Sequence, residues 1–184
     1  MIVIPSLGQE MEAVVNAAAV PPGAAEQRSE FPARAGKALD AVAKMAAERL
    51  SADCALVLLF AGTMLRVAGC FGIDPGKLPR HDFFRTESSD TGSVTVVPDS
   101  LVDRRYAGLP LLGGQRMRFF AGVPLYDEEE SEIGMLCLLD PTPRNTNHPE
   151  LRVLRLLALQ TQLLLLEQRR DLLEWLPRMR GAAF

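Results

Sequence analysis

Apolar residues recur at Ala35, Ala38, Leu39, Val42, Ala46 and Leu50, while Lys37, Asp40, Lys44 and Glu48 fill the opposite side. That spacing predicts a helix from Ala33 with one buried face. The period then shortens. ADCALVLLFAG (52 to 62) has the length and composition of a buried strand, and MLRVAGCFG (64 to 72) follows after a short link, which predicts an antiparallel hairpin. IDPGKLP is a loop, and residues 80 to 92, polar apart from Phe83 and Phe84, read as a short helix and loop. SVTVV (93 to 97) is a short strand of β-branched residues, and 98 to 114 is an irregular segment with one helical turn capped by Asp99 or Ser100.

A second hairpin pairs RFFAGVPLY (118 to 126) with EIGMLCLLD (132 to 140) across the acidic loop DEEESE. If Leu125 pairs with Ile133, then Phe119, Ala121 and Val123 share a face with Met135, Cys137 and Leu139. Both faces are apolar, so both must be covered. A helix is predicted from Pro149 to Leu176, capped by Thr146 or Asn147 and stopped by Pro177. It carries two apolar stripes: Leu151, Leu154, Ala158, Leu165 and Leu172, and Leu156, Leu159, Leu163, Leu166 and Leu173. Two stripes imply two partners, the sheet and a second helix. Before Ala33 the pattern is different: MEAVVNAAA has helical composition, but PPG at 21 to 23 ends it, and residues 1–32 read as an extension, helical or flexible. The expected organisation is this extension, a domain at 33–148, and a C-terminal helix and tail at 149–184.

With 184 residues, 48% apolar and 23% charged, the chain can bury a sizeable core without staples. A net charge of -3 gives no footprint for nucleic acid or anionic lipid, so neither is expected as a partner. The Leu-rich helix is interrupted by Arg152, Arg155, Glu167 and Arg169 and is not a membrane span. The first basic residue is Arg28, so a secretory signal is not expected and the cytoplasm is the expected location. Cys54, Cys70 and Cys137 are far apart in apolar runs, which suits buried thiols in a reducing compartment. Without a CxxC pair, and with His81 and His148 standing alone, no metal site is expected. No catalytic residue is expected either: Asp99 and Asp103 are better used as a cap and as a partner for Arg104 or Arg105, and Ser88, Ser89 and Ser93 lack a nucleophile-elbow context.

The middle of the chain resembles a GAF domain of the bacterial signalling type. The resemblance rests on Asp99, Asp103, Arg105 and Tyr106 after a strand, on Arg118 to Leu125, on Ile133 to Asp140, and on Pro143 and Arg144. It covers about residues 34 to 170. The family implies an α/β (α+β) fold similar to PAS domains: a central antiparallel sheet of five to six strands, N- and C-terminal helices on one face, and a small-molecule pocket on the other. It also implies terminal helices that pair in a homodimer and pass a signal to a downstream protein. On that basis Phe84, Val97, Asp99, Tyr106, Leu111 and Met117 are expected as pocket walls, with Phe119 or Ala121 as the floor. Leu154, Ala158, Leu165 and Leu172 are expected at the dimer interface. The family's frequent pocket cysteine has no counterpart, since that segment holds Phe83 and Phe84. The ligand's identity, and any cofactor, are not fixed by the sequence. Two alternatives remain beside a non-catalytic sensor: a ligand-free interaction module, and a cysteine-dependent methionine sulfoxide reductase.

Overall fold

The apolar spacing after Ala33 becomes helix α1 (Ala33–Arg49), followed by strands β1 (Cys54–Ala61) and β2 (Met64–Phe71). The chain, seen as a computed structural model, is described over residues 33–61, 64–74, 93–103, 111–112, 115–128 and 130–168. Within these, β3 (Thr95–Val97) precedes two short strands, β4 (Leu111–Leu112) and β5 (Gln115–Arg116), which pair with each other. β4 lies within the segment 98 to 114, expected to be irregular, and β5 lies just beyond it. The long hairpin β6 (Phe119–Tyr126) and β7 (Glu132–Asp140) leads to helix α2 (His148–Glu167). The predicted continuation of that helix to Leu176 lies outside the described residues, as do residues 1–32.

The main sheet has five antiparallel strands in the order β2-β1-β7-β6-β3. Both helices pack on one face, where Ala55, Val57, Leu59, Phe119, Ala121, Val123, Leu125, Leu136 and Leu138 meet Leu39, Ala43, Leu154 and Ala158. The opposite face is a second apolar cluster of Cys54, Leu56, Leu58, Val97, Met117, Phe120, Met135, Cys137 and Leu139. Both faces of the hairpin are buried, as its two-sided apolar pattern requires.

The hairpin register differs from the expected one by one residue. Leu125 pairs with Gly134 and Tyr126 with Glu132, so Ile133 is the extra residue of a bulge. Because side chains alternate with period two, this slip turns all of β7 over relative to β6. Phe119, Ala121 and Val123 therefore share a face with Leu136 and Leu138, and Phe120 and Gly122 share one with Cys137 and Leu139.

Close approach fixes how α1 lies on the sheet. A Cβ on Gly69 would stand 2.6 Å from the backbone carbonyl carbon of Leu39, so only glycine lets the helix cross β2 at that distance. Asp40 on α1 accepts the Cys70 N–H at 2.8 Å, satisfying an amide of this edge strand. The helix ends with Ser51 at a positive φ of 49° and a bond from Ala52 N–H to the Ala47 carbonyl, the six-to-one closure of a C-terminal cap. At α2 the N-cap is Asn147: its side chain accepts from Glu150 N–H at 2.9 Å, and Glu150 accepts the Asn147 N–H at 2.9 Å.

Candidate functional site

The structure divides the residues expected around a ligand. Val97 and Met117 lie on the non-helical face, both buried. Phe119 and Ala121 do not: they point to the helical face and pack under α1 and α2. Their expected role as pocket floor is corrected by the same alternation that places Phe120 and Gly122 on the non-helical side. Gly122 leaves no open space, because a Cβ there would stand 2.6 Å from the Phe120 ring. The Phe120 ring fills the floor. Phe84 and Tyr106 lie outside the described residues, and Leu111 is placed only by its backbone pairing with Arg116.

The residues that sequence reasoning missed on the non-helical face are Phe120, Met135, Cys137 and Leu139. Alternation from Val97 through its partner Phe120 was the signal that could have found them. A cleft does involve Phe119 and Ala121, but on the helical side, with Leu50, Leu138, Arg144, Glu150 and Leu154. It has room for about one water.

Asp99 is committed inside the protein. Arg118 donates to it through Nε at 3.1 Å and through a second guanidinium nitrogen at 2.5 Å, and the Leu101 N–H adds a third bond at 3.1 Å. The Arg118 hydrogen bonds hold its carboxyl below the ordinary carboxylate range. Ser100 is buried and donates its hydroxyl to the Met117 carbonyl at 3.0 Å. This turn is a brace that joins β3 to the start of β6, and Asp99 is not poised for acid–base work.

All three cysteines fall on the non-helical face, across β2, β1 and β7, and none forms a disulfide. Burial, with smaller contributions from Asp53 and Asp140, pushes the Cys54 thiol up to about 11. Burial also pushes Cys137 up to about 12, the Leu56 carbonyl accepting its weak S–H bond at 3.6 Å. Thiols in this state are poor nucleophiles near neutrality. Among the described residues no group of three or more His, Cys, Asp or Glu side chains is arranged to hold a metal ion.

The helix α2 has two unlike sides. Leu154, Leu157, Ala158, Thr161 and Leu165 are buried against the sheet and α1. Leu154, Ala158 and Leu165, expected at a dimer interface, are core residues instead; side chains with 1%, 1% and 5% exposure have no surface left to give a partner. Leu172, the fourth, lies outside the described residues. The stripe that faces outward is the other one: Leu156 is 64% exposed, Leu159 54%, Leu163 63% and Leu166 43%. These four follow one another at intervals of three, four and three residues, and the exposed Arg155, Gln160 and Glu167 flank them. Among the described residues no helix is long and apolar enough to cross a membrane.

With this geometry in view, residues 35–165 match the GAF domain family, and the chain belongs to it. A curated relative, a cyclic di-GMP phosphodiesterase of Pseudomonas aeruginosa, is 36% identical over 74 residues, 40% of this chain. Those residues span 13% of that relative's length. Among solved structures, the GAF domain of a phosphoenolpyruvate-protein phosphotransferase from Coxiella burnetii superimposes with a TM-score of 0.60 at 19% identity, covering 89% of this chain and 92% of that one. A domain of a two-component sensor histidine kinase protein from Sinorhizobium meliloti 1021 gives 0.57 at 17% identity, covering 75% and 95%. At such identities the structural likeness establishes the fold. The five-stranded antiparallel sheet with its helices is that of this family.

Proposed function

We propose that this chain is a non-catalytic sensory or regulatory GAF domain whose output is the pairing of α2 with α2 of a second copy. The observation that carries this reading is the outward stripe Leu156, Leu159, Leu163 and Leu166. Its three-four-three spacing is that of a coiled-coil seam, and the other side of the same helix is held in the chain's own core. The four leucines leave on the order of 400 Å² of apolar surface open, as large as the biggest patch on a typical monomer and about half of one partner's share of a standard interface. A second copy suits this stripe because each copy brings an identical apolar ridge with polar flanks. The solvent side of α1 offers none: Lys37, Lys44 and Glu48 are exposed there, with Lys44 and Glu48 3.7 Å apart.

The relatives' presence in a sensor kinase and a phosphodiesterase supports the regulatory role. The Cys54 and Cys137 thiols and Asp99 favour regulation over catalysis, since none of them is activated. The ligand proposed for the non-helical face is small and apolar or aromatic, matching a wall of aliphatic, thiol and thioether side chains. A second reading, an interaction module without a ligand, is favoured by the Phe120 ring over Gly122. The cytoplasm and a downstream signalling partner belong to the same proposal.

Sedimentation equilibrium on the wild type and on the double variant Leu159→Asp/Leu163→Asp tests the pairing. The expected result is a dimer that the variant converts to a folded monomer, with unchanged far-ultraviolet circular dichroism. A variant that remains dimeric would remove this stripe from the interface.

A further inference from the structure

Arg144 stands where α1 ends and α2 is about to begin. Its guanidinium donates to the Ser51 carbonyl at 2.8 Å and to the Leu50 carbonyl at 2.5 Å, so a cation 93 or 94 residues away in sequence closes the C-terminal end of α1. Carbonyls at that end lack helical partners and carry the negative end of the helix dipole, which makes a forked cation an apt cap. The guanidinium also lies 5.1 Å from the centre of the Phe119 ring and 3.7 Å from Asp140. Its own backbone N–H donates to the Pro98 carbonyl at 3.1 Å. Three residues later, Asn147 caps α2.

The Pro98 bond connects this joint to the far side of the sheet. Pro98 follows Val97, whose side chain lies on the non-helical face with Phe120, and precedes the Asp99 turn held by Arg118. Arg118 N–H in turn donates to the Asp140 carbonyl at 2.9 Å, and the Asp140 side chain accepts from the Thr142 N–H at 2.8 Å and the Thr142 hydroxyl at 2.5 Å. Two routes therefore run from the Val97–Asp103 turn to Arg144: directly through Pro98, and through Arg118 and Asp140, whose carboxylate lies 3.7 Å from the guanidinium. The guanidinium is held by two fixed backbone carbonyls, a packed ring and the Asp140 carboxylate.

We propose that Arg144 is a positioning residue that conveys the placement of the turn after β3 to the joint between α1 and α2. A shift of Val97 and Pro98, as an occupant of the non-helical face would cause, moves the Arg144 backbone, changes how its guanidinium holds the end of α1, and resets the start of α2. This deepens the reading above, in which α2 carries the output, by naming the path that regulates it. Coupling of this kind needs a shared element that both ends bias, and here that element is the fork of one arginine on two carbonyls.

The test is hydrogen–deuterium exchange on the full chain, with Asp99→Asn as the perturbation at the turn. Asp99→Asn is expected to speed exchange at residues 50–53 and 147–151 by about fivefold, the size of weakening one backbone hydrogen bond, besides its local effect at 99–103. In an Arg144→Gln background that remote increment is expected to vanish. Should Arg144→Gln fail to fold, Arg144→Lys keeps the charge but not the fork and serves in the same cycle. An effect confined to 99–103 and 117–119, or a remote increment of equal size with and without Arg144, would overturn the proposal. Sedimentation of the same samples separates the two readings: remote coupling in a monomeric sample upholds the Arg144 path and contradicts helix pairing, and a dimer without remote coupling does the reverse.

Discussion

Replacing Leu154 by alanine tests which side of α2 holds the fold. Leu154 is 1% exposed and lies beside Leu50, Phe119, Ala121 and Leu138, at the edge of the water-sized cleft. The space left by the removed methyls would join that cleft, and α2 cannot close it without lifting its buried neighbours Leu157 and Ala158. A loss of about 3 kcal/mol is expected, within the roughly 2–5 kcal/mol spread for buried leucines. In urea, with a slope of about 2 kcal/mol/M for a domain of this size, the midpoint should fall by about 1.5 M at unchanged slope. The matched control is Leu163→Ala on the outer side, 63% exposed, which should change stability by no more than about 0.5 kcal/mol when measured on the monomer. If Leu154→Ala moves the midpoint no more than Leu163→Ala does, the assignment of the two sides is wrong.

Three further outcomes follow from the geometry. Gly69→Ala places a methyl 2.6 Å from the Leu39 backbone and should cost about 1–3 kcal/mol by thermal or urea unfolding, whereas alanine elsewhere in a strand would be mild. Because folding raises the Cys54 and Cys137 thiols from 9.0 to about 11 and about 12, the folded chain keeps protons that the unfolded chain releases. Stability from this source is full below about pH 9 and is lost as pH rises from 9 through about 11 for Cys54 and towards about 12 for Cys137; a Cys54→Ala/Cys137→Ala variant should show a flatter alkaline limb in urea midpoints. Asp99 has the opposite sign: its lowered carboxyl stabilises the fold above the ordinary value of 3.8 and loses that contribution as pH falls through the folded value, so Asp99→Asn should flatten the acid limb.

Much of the fold could be read from periodicity, because each long element buries a face and leaves a repeat of the right period. The α1 pattern from Ala35 to Leu50, both long hairpins and the Asn147 cap fall where the sequence puts them. The register of β6 on β7 was not legible. Ile133 is as apolar as its neighbours, and nothing in EIGMLCLLD distinguishes a bulged residue from a paired one when both faces are buried. The floor assignment of Phe119 and Ala121 failed separately, because a strand that is apolar on both sides does not say which side meets the helices. The two sides of α2 were confused for a related reason: both are leucine-rich, so hydrophobicity alone does not say which meets the sheet. The smaller residues Ala158 and Thr161 on the inner side carried the signal, since they let the helix lie close to its neighbours, and Thr161 returns its hydroxyl to the Leu157 carbonyl at 2.7 Å. Asp99 and Arg118 were visible as family motif residues, but their pairing across 19 residues is a tertiary fact that no local pattern encodes.

The proposed function depends most on α2 being shared between the chain's own core and a second copy. A native mass spectrum of the purified 20.1 kDa chain, recorded under gentle conditions, tests that most directly. The expected species is a dimer of twice the chain mass, with any mass added beyond it and lost on denaturation identifying a ligand of the non-helical face. A bare monomer at concentrations where an interface of this size should hold would contradict the pairing of α2 and leave the outward leucine stripe without its proposed partner.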